Sequence, residues 1–455
     1  MMKKSAKKKQ KLSAKQQKII WGVGIAVVAL ISVFLAIKAV ETSEEIVQFF
    51  NSNDEIIAIT IQGDEGFKIE KDQDQWTVLD RLEETDQEAV LQALAVLNQM
   101  GGEKVEAKRQ SVGLDFPRLA IRVDYDDDST KRVSLGHPDP TGGGYYVEVQ
   151  GDDLSGVYFV ENILIDYLPL KVNNYLVTAL LPWTPDQVES IKINREQELV
   201  QLTKSSPYPA EETRTNVGGW FVAEPYTHYY GTSYTEMQEL NQALQTLQMN
   251  EIVEKDVADW SQYGLNSSDF SIEFSTADDQ RTLLIGVAET ESTTFARFAD
   301  TNDVFSIANE LLTPFEQSAS DYHDGYIKII ALDNLNQLSI ESERLTVDVN
   351  VEKDGDDVHF KVNDQFLFEK GFREAYTAIA GLPVAGLSEG AVYQEAEITI
   401  TSTIALEDGE KVVILELVDY DEEHYAAFVN QESDFLVKKA HVDETLTVIE
   451  QVLEY

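Results

Sequence analysis

The chain has 455 residues, enough for about three domains at roughly 150 residues each, and its 43% hydrophobic content argues against global disorder. Nine of its 36 basic residues and none of its 81 acidic residues lie in the first 38 positions, which leaves a net charge of −54 beyond them. Such an acidic body repels nucleic acid, so nucleic-acid binding is excluded. The absence of cysteine excludes disulfides, thiol nucleophiles and zinc–thiolate sites.

An apolar run near the N-terminus predicts a membrane anchor. Eight lysines precede residues 19–37, which carry no charge, and Lys38 closes the run. Nineteen residues in a helix span about 28 Å at ~1.5 Å each, close to the roughly 30 Å hydrocarbon core of a bilayer. The lipid bilayer is therefore the expected partner of residues 19–38. By the positive-inside rule, the Lys-rich tail 1–18 stays in the cytoplasm and the body lies outside.

A cleaved signal peptide is the alternative interpretation of this run. Its apolar region is usually about 7 to 15 residues long and ends at a small-x-small site. The run here is longer, Lys38 follows it, and Ile37 stands three positions before Ala39, the best candidate for a cleavage residue. A retained anchor is the favoured prediction, followed by a short polar stalk over residues 39–53.

The first α+β unit is predicted over residues 54–187, including a connector that begins near Asn174 and is interrupted by two prolines. Alternating apolar and polar residues predict antiparallel strands at Ile56–Gln62, from Phe67 and from Trp76. A helical period follows, with four aliphatic residues on one predicted side and a Gly-Gly pair ending the helix. These residues are Val90, Leu91, Leu94 and Leu97, followed by Gly101 and Gly102.

An internal repeat organises the rest of the chain. VGLDFPRLAIRVDYDDDSTKRVSLG, from Val112, returns as YGLNSSDFSIEFSTADDQRTLLIG, from Tyr263. The shift is 151 positions from Gly113 to Gly264 and 150 from Gly136 to Gly286, so the register holds through two strands and the acidic turn between them. A fixed period of this kind is the signature of repeated structural units.

The second unit is predicted over residues 188–325 and a third, degenerate unit over residues 326–455. The helix of the second unit places Met237, Leu240, Leu244 and Leu247 in helical spacing. The third unit begins with a predicted strand YIKIIAL at residues 326–332, and it lacks both the tryptophan and the Gly-Leu-Asp/Asn tripeptide of the other two. The predicted fold class is α+β, with a single transmembrane helix followed by three repeated antiparallel meanders with packed helices.

The acidic turn between the repeated strands resembles a cation site at first sight. It contains Asp124, Asp126, Asp127 and Asp128, but Ser129 stands where an EF-hand needs glycine and Leu135 where it needs glutamate. Corresponding turns occur at residues 277–280 and 407–410, and a similar one at 354–357. Hairpin chemistry explains Asp, Asn and Gly at all four places. No metal site and no cofactor site is predicted.

Other conspicuous residues also receive structural interpretations. Residues 142–144 form a Gly triplet followed by a strand rather than a helix, so they predict a turn and not a phosphate loop. Gly113 and Gly264 are predicted to adopt unusual backbone dihedrals at a strand entrance. Trp76 and Trp220 are expected to be core anchors, with carbohydrate stacking as the less favoured alternative.

The sequence contains no catalytic motif. The six histidines are scattered without metal-binding spacing, GxSxG does not occur, and the one match to SxxK, from Ser5 to Lys8, lies in the Lys-rich tail. A pair of acids for glycoside cleavage cannot be chosen among 81 carboxylates, because their separation is a three-dimensional fact. No catalytic residue is therefore predicted.

The motif set resembles a known bacterial family, the domain of unknown function 4340 family. The resemblance rests on short motifs that recur in the first two units. They are Trp76, Gly113-Leu114-Asp115, Pro117, Gly136 and Tyr146, then Trp220, Tyr263-Gly264-Leu265 and Gly286. Members of this family commonly accompany ABC transport systems of the gliding-motility auxiliary type. The resemblance implies an envelope-side accessory role and carries no catalytic residues.

Two functions from different classes follow as expectations. The preferred one is a membrane-anchored, extracytoplasmic, non-catalytic scaffold or accessory protein whose partner is a membrane protein, with an ABC-type permease as the class of partner that the resemblance implies. The alternative is a cell-surface ligand-binding protein or glycan-active enzyme with a site between repeat units. A deep cleft lined by aromatic residues and facing carboxylates would favour the alternative.

Overall fold

A computed structural model describes residues 46–50, 55–63, 66–151, 154–196, 198–354, 357–363, 365–367 and 369–453. The predicted tail 1–18 and the predicted anchor 19–38 lie outside these residues. Within them, no helix is long and apolar enough to cross a membrane. The chain divides into two compact units, one ending at Thr178 and the other beginning at Ala179.

The first unit is built on a nine-stranded antiparallel sheet, ordered β1-β5-β9-β8-β7-β6-β2-β3-β4. Its elements in chain order are β1 (Ile46–Gln48), β2 (Ile56–Gln62), β3 (Phe67–Asp72), β4 (Gln75–Val78), α1 (Gln87–Gln99), β5 (Gly101–Val105), β6 (Leu119–Tyr125), β7 (Thr130–Pro138), β8 (Gly144–Gln150), β9 (Ser155–Glu161) and α2 (Asn162–Asp166).

The second unit contains two more nine-stranded sheets. The second sheet has the order β14-β18-β17-β16-β15-β10-β11-β12-β13. Its elements are β10 (Ser190–Arg195), β11 (Glu198–Thr203), β12 (Phe221–Glu224), β13 (Tyr230–Gly231), α3 (Tyr234–Thr246), β14 (Glu251–Glu254), β15 (Phe270–Ser275), β16 (Gln280–Ala288), β17 (Thr293–Phe298), β18 (Val304–Ala308), α4 (Asn309–Leu312) and α5 (Ala319–Tyr322).

The third sheet has the order β23-β27-β26-β25-β24-β19-β20-β21-β22. Its elements are β19 (Leu335–Ser342), β20 (Thr346–Asp354), β21 (Asp357–Val362), β22 (Gln365–Leu367), α6 (Glu369–Ala380), β23 (Gly386–Leu387), β24 (Ile398–Leu406), β25 (Gly409–Asp419), β26 (His424–Val429), β27 (Glu432–Lys438) and α7 (Lys439–Leu453).

The three sheets share one topology. In each, a first set of strands leads into a helix, one strand (β5, β14 or β23) follows, and a four-stranded meander then pairs with that strand at one end and with the first strand of the set at the other. The first sheet also has β1, which pairs with β5 at the edge. The predicted repeat of antiparallel meanders is therefore confirmed, and the fold is mostly β with few helices. Because every sheet connection is antiparallel, each sheet can be built from local hairpins plus one return to its own start.

The main core of each sheet lies under its longest helices. In the first sheet, Asp86 caps α1 by accepting hydrogen bonds from the amides of Glu88 and Ala89. The buried side of α1 is formed by Val90, Ala93, Val96 and Leu97. Leu91, predicted to share that side, is 56% exposed, so this prediction was wrong. The buried residues follow the three- and four-residue spacing of a helix, and position 91 falls outside that stripe.

The helix of the second sheet agrees with its predicted pattern. Met237, Leu240, Leu244 and Leu247 are all buried, and they belong to the same core as the strand residues Ile193 and Ile272. This core also contains the helix-facing residues of the third sheet, so the second and third sheets share one hydrophobic core.

Part of the predicted stalk belongs to the first sheet. Ile46–Gln48 pair with Gly101–Glu103, and Phe49 is fully buried. A Cβ at Gly101 would lie 2.8 Å from the carbonyl oxygen of Val47, and one at Gly102 would lie 2.4 Å from that of Phe159. The Gly-Gly pair that was predicted only to end the helix thus allows close approach of the strands on both sides of β5.

The predicted first strand of the third repeat is also misplaced. Residues 326–332 form no sheet strand, although Ile327 and Ile330 are buried. The amide of Ile327 donates to the carbonyl oxygen of Leu382, outside the ladder, and the first strand of this sheet is β19 instead. An alternating pattern reports burial, but it does not reveal where the backbone finds its hydrogen bonds.

Candidate functional site

The face of each sheet away from the long helices is crossed by the segment that joins β5, β14 or β23 to the meander that follows it. We call these segments strap 1 (residues 106–118), strap 2 (255–269) and strap 3 (388–397). Leu114 of strap 1 packs with Val157, and Leu265 of strap 2 packs with Val304. Each strap therefore seals a small second core.

The Gly-Leu motif and the later glycine form one packing device. Gly113 and Gly264 have φ values of 75° and 70°, as the sequence predicted. A Cβ at Gly286 would lie 2.1 Å from the carbonyl oxygen of Tyr263, and one at Gly136 would meet Val112 at 2.2 Å. The glycine in β7 or β16 leaves the space into which the strap backbone and its buried leucine settle.

The third repeat has lost this device. The strand pairing shows which positions are equivalent. In the second sheet, Ile193 pairs with Ile272, which pairs with Leu283. In the third sheet, Ile340 pairs with Ile400, which pairs with Leu415, so Leu415 is equivalent to Leu283. Three residues further along, Gly286 is replaced by Val418, whose side chain is buried. Strap 3 consequently carries alanines against this face, Ala391 and Ala396, in place of a buried leucine.

One pair of equivalent positions changes its chemistry from repeat to repeat. In the first, Arg109 of strap 1 donates to the Glu148 carboxylate on β8. The equivalent position on β17 is Arg297, whose guanidinium lies 4.1 Å from the ring centroid of Trp260 in strap 2. In the third repeat the position on β26 is Phe428, which Tyr393 of strap 3 meets edge-on at 5.3 Å. These contacts are an ion pair, a cation–π pair and an aromatic pair, respectively.

The acidic turns are hairpins, as predicted. In the first, the amide of Asp128 donates to the carbonyl oxygen of Tyr125, and Asp127 accepts from the amide of Ser129 at 2.9 Å. Hydrogen bonds from the hydroxyl and the amide of Ser129 lower the pKa of Asp127. Asp124 accepts from Arg122. In the part of the chain that the structure describes, no group of three or more His, Asp or Glu side chains is arranged to hold a metal ion.

The two tryptophans are core anchors. Trp76 and Trp220 are 6% and 3% exposed. The Gln87 side chain accepts from the amide of Trp76 and donates to its carbonyl oxygen, which joins β4 to α1. Lys204 lies 4.9 Å above the Trp220 ring. The interpretation of these residues as core anchors is confirmed, and the Gly triplet at 142–144 likewise leads into strand β8.

A buried carboxylate of the third sheet binds the second. Asp434 on β27 accepts from the amides of Thr227 and His228 at 2.8 and 3.1 Å and from the hydroxyl of Tyr230 at 2.9 Å. His228 Nδ1 lies 3.2 Å from the same carboxylate and donates to it. Burial alone would raise the pKa of Asp434, but these hydrogen bonds more than offset it and keep the pKa below its usual value.

A buried carboxylate of the second sheet binds the third in return. Glu212 belongs to the long connection between β11 and β12, and its two oxygens accept from Lys328 at 2.6 Å and Lys411 at 2.5 Å. Both ammonium groups also lie about 5 Å above the ring of Tyr208. Burial would raise the pKa of Glu212, but the two lysines outweigh it and lower the pKa.

A neutral histidine lies next to these contacts. His323 is 6% exposed and is surrounded by the rings of Tyr226, Tyr230 and Phe435. The amide of Gly325 donates to its Nδ1, so the ring proton is on Nε2, which has no partner among the described residues. Burial lowers the pKa of His323 to about 4.

The sequence offered no signal for these three groups, because the contacts between the second and third sheets join residues that are far apart in the chain. The space beside them is small. The cavity that includes Glu212 and Asn216 measures ≈ 40 Å³, room for a few waters. Another opening in this unit is a groove of ≈ 760 Å³ on the third sheet, between the ends of β19 and β24 and α7.

The fold therefore defines a repeat protein of three nine-stranded antiparallel sheets, each closed by one strap. The chain matches the Domain of unknown function family (DUF4340) over residues 85–217 and 220–392 and belongs to that family. The two matched ranges contain straps 1 and 2 with their glycines, and the second range ends within strap 3. No curated protein and no solved structure matches the chain.

Proposed function

We propose that the protein is anchored in the membrane by one span, exposes its repeats outside the cytoplasm, and serves as a non-catalytic scaffold or accessory subunit for a membrane protein. The family resemblance suggests an ABC-type permease as the class of partner. Two further features support the proposal: the short distance between the predicted span and the first strand, and the use of buried charges within the repeats.

The docking of β1 is the observation that carries the proposal. The predicted span ends at Lys38 and β1 begins at Ile46, so only residues 39–45 separate them. Seven residues extend to at most about 25 Å. Strand pairing with β5 and burial of Phe49 join β1 firmly to the first sheet. A body tethered so closely meets other membrane proteins at high local concentration, so even modest contacts bind effectively.

The buried charges described above have structural partners. Glu212 binds two lysines, and Asp434 accepts four hydrogen bonds from three residues. These groups hold the second sheet to the third, and the cavity beside Glu212 measures only ≈ 40 Å³. The net charge of −54 beyond residue 38 favours a partner that presents basic or apolar surface.

A ligand-binding or glycan-active protein is the second candidate. The groove on the third sheet favours it, because Glu341, Glu343, Glu395 and Glu397 line an opening of ≈ 760 Å³ together with Tyr425. Glycoside cleavage requires one carboxylic acid and one carboxylate facing the scissile bond. Turnover of a glycan by the purified protein, abolished by Glu395→Gln or Glu397→Gln, would select this candidate over the scaffold.

The placement of the body can be measured by cysteine labelling, since the natural chain has no cysteine. Ser5→Cys in the tail and Val217→Cys on the second sheet, where the side chain is 82% exposed, provide the two sites. A membrane-impermeant maleimide added to intact cells should label Cys at position 217 and not at position 5. Equal protection of both sites, or labelling of both, would contradict the proposed topology.

Association is measured by co-isolation from solubilised membranes. The tagged full-length protein should recover an integral membrane protein in a stoichiometric amount, and recovery should fall with added salt because the body is acidic. A matched protein whose residues 19–37 are replaced by an unrelated span controls for recovery through the anchor alone. If the repeats bind the partner, this control protein should still recover it.

A further inference from the structure

The imidazole of His228 is held in one orientation by a buried carboxylate. Its Nδ1 lies 3.2 Å from Asp434 and donates to it, and the backbone amide of His228 donates to the same carboxylate at 3.1 Å. The ring also meets Tyr230 edge-on, with 6.2 Å between the ring centroids. Because Nδ1 carries the hydrogen that Asp434 accepts, the neutral ring presents the lone pair of Nε2 on its other side.

A second carboxylate lies on the Nε2 side of this ring. The Oε2 atom of Glu432 is 4.0 Å from Nε2. The Glu432 side chain is 61% exposed, whereas that of His228 is only 12% exposed, so the carboxylate can adjust its position while the imidazole is fixed. Two atoms that both donate electron pairs therefore face each other across a short gap. A cation is the partner that suits both of them.

The gap between the two atoms matches the size of a transition-metal ion. Zinc binds an imidazole nitrogen at about 2.0–2.1 Å and a carboxylate oxygen at about 2.0–2.2 Å. A tetrahedral ion would need Nε2 and Oε2 roughly 3.4 Å apart. The exposed Glu432 side chain reaches this distance by a shift of about 0.6 Å, and the His228 ring does not have to move.

The contact with Asp434 is the one that metal-binding histidines make. A histidine that coordinates a metal through one ring nitrogen donates its other N–H to a carboxylate, carbonyl or water, which fixes the tautomer. Burial alone would raise the pKa of Asp434, but the hydrogen bonds that it accepts keep that pKa low, so Asp434 stays ionised and holds the His228 ring. A ring nitrogen favours first-row transition metals, whereas Mg²⁺ and Ca²⁺ prefer oxygen ligands.

We propose that His228 Nε2 and the Glu432 carboxylate bind a divalent transition-metal ion of the zinc class, and that Asp434 orients the imidazole for it. Two protein ligands leave the remaining coordination positions to water. The strongly acidic body raises the local concentration of cations around this site. The inference goes beyond the proposed function and does not depend on it.

The ion would join the second repeat to the third. His228 belongs to the connection between β12 and β13 of the second sheet, and Glu432 is the first residue of β27 in the third. Glu432 follows His228 by 204 positions, so spacing along the chain could not reveal the pair. Binding should stabilise the contact between the two repeats, because an ion that binds only the folded protein favours the folded state.

Calorimetry of the purified full-length protein measures the binding. The protein carries a tag without histidine, is treated with a chelator and is then titrated with Zn²⁺. The native protein should show one saturable site. Glu432→Gln should weaken this site at least about tenfold, since even a carboxylate that only orients a metal-binding histidine contributes about 10- to 100-fold to the affinity. His228→Gln should abolish the site. Because the Glu432 side chain is exposed, Glu432→Gln tests the proposal even if His228→Gln does not fold.

A histidine of the third sheet provides the matched control. His424 Nδ1 lies 3.0 Å from Asp421, and among the described residues no second carboxylate lies within 4.0 Å of its ring. His424→Gln should leave Zn²⁺ binding unchanged. Zn²⁺ should raise the melting temperature of the native protein and of His424→Gln, but not that of Glu432→Gln. Mg²⁺ and Ca²⁺ should produce no comparable saturation in the native protein.

Three results would overturn the inference. Equal Zn²⁺ affinity of the native protein and Glu432→Gln would mean that His228 and Glu432 form an ion pair and no metal site. Many weak sites without saturation would mean an adventitious ion only, bound by surface carboxylates. Saturable binding that is lost in His424→Gln and kept in Glu432→Gln would place the site at His424.

Discussion

Glu212 and Asp434 make reciprocal contacts between the second and third sheets, because each belongs to one sheet's repeat and binds residues of the other. Glu212 comes from the second repeat and binds Lys328 and Lys411, while Asp434 comes from the third repeat and binds the amides and side chains of residues 227–230. Each carboxylate is buried and each is saturated by the other repeat. The two contacts explain, together with the shared hydrophobic core, why these repeats form one compact unit.

Removing the Glu212 charge should destabilise the second unit strongly. Glu212→Gln leaves two partly buried lysines without their carboxylate, and breaking a buried ion pair from one side costs about 3 to 5 kcal/mol. The free energy of unfolding by denaturant measures the loss. Glu189→Gln, on the exposed surface of the same repeat, is the control and should stay within about 0.5 kcal/mol of the native protein. An equally small effect of Glu212→Gln would show that this ion pair does not hold the repeats together.

The glycine behind strap 1 and the glycine behind strap 2 should tolerate no side chain. In Gly286→Ala the new Cβ would lie 2.1 Å from the carbonyl oxygen of Tyr263, so the strap must move and expose Leu265. We expect a loss of about 3 kcal/mol, similar to the loss of a buried leucine. Gly136→Ala should act alike in the first unit. Gly386→Ala has open space around its Cβ and serves as the control. If the unfolding curve of Gly286→Ala matched that of the control Gly386→Ala, the packing device would be refuted.

The cation–π contact between Arg297 and Trp260 should appear as a coupling energy. Trp260→Leu and Arg297→Met each remove one partner, and the double variant completes a cycle. Because the guanidinium is largely buried over the ring, we expect a coupling of about 1 to 2 kcal/mol. Arg109→Met and Glu148→Gln give the corresponding cycle in the first repeat, where the arginine is half exposed and the coupling should be below about 1 kcal/mol. Additive effects of Trp260→Leu and Arg297→Met would show that no such contact exists.

His323 and its neighbour Asp324 should have opposite effects on acid stability. Burial lowers the pKa of His323 to about 4, so its contribution is complete above about pH 6.5 and is lost as the pH falls towards 4. Burial raises the pKa of Asp324 to about 6, so its protonated form stabilises the fold increasingly as the pH falls from 6 towards 3.8. The two trends oppose each other over nearly the same pH range.

Single substitutions should reveal each trend. His323→Gln leaves only the effect of the aspartate. The free energy of unfolding of this variant, relative to that of the native protein, should therefore rise as the pH falls from 6 to 4. Asp324→Asn leaves only the effect of the histidine. The free energy of unfolding of this variant, relative to that of the native protein, should fall as the pH falls from 6 to 4. Urea titrations at pH 4, 5, 6 and 7 measure both. Parallel pH profiles for the two variants would contradict the assigned protonation states.

Sequence periodicity predicted most of the strands, because an exposed antiparallel hairpin alternates its side chains visibly. It also found the repeat, since Gly113, Gly136 and their counterparts are fixed by close backbone contacts that few other residues allow. It did not find β5 or β1, since a glycine pair and a three-residue strand show no alternation.

The internal contacts of the second unit were beyond sequence reasoning for a different reason. Glu212 is 116 positions from Lys328, and His228 is 206 positions from Asp434. Among so many carboxylates, no pattern distinguishes these two from exposed ones. Their selection depends on the docking of whole sheets, which the local pattern does not encode.

The central proposal is that the protein acts through a partner in the same membrane, and release of the body tests it most directly. Residues 39–455 are exported behind a cleavable signal sequence in cells that lack the native protein, and the full chain is compared in parallel. We predict that the freed body folds, as judged by its unfolding curve, but recovers less than about a tenth of the membrane partner, because its local concentration advantage is gone. It should also fail to complement the deletion. Full complementation by the freed body, or turnover of a glycan or peptide by that body alone, would contradict the account.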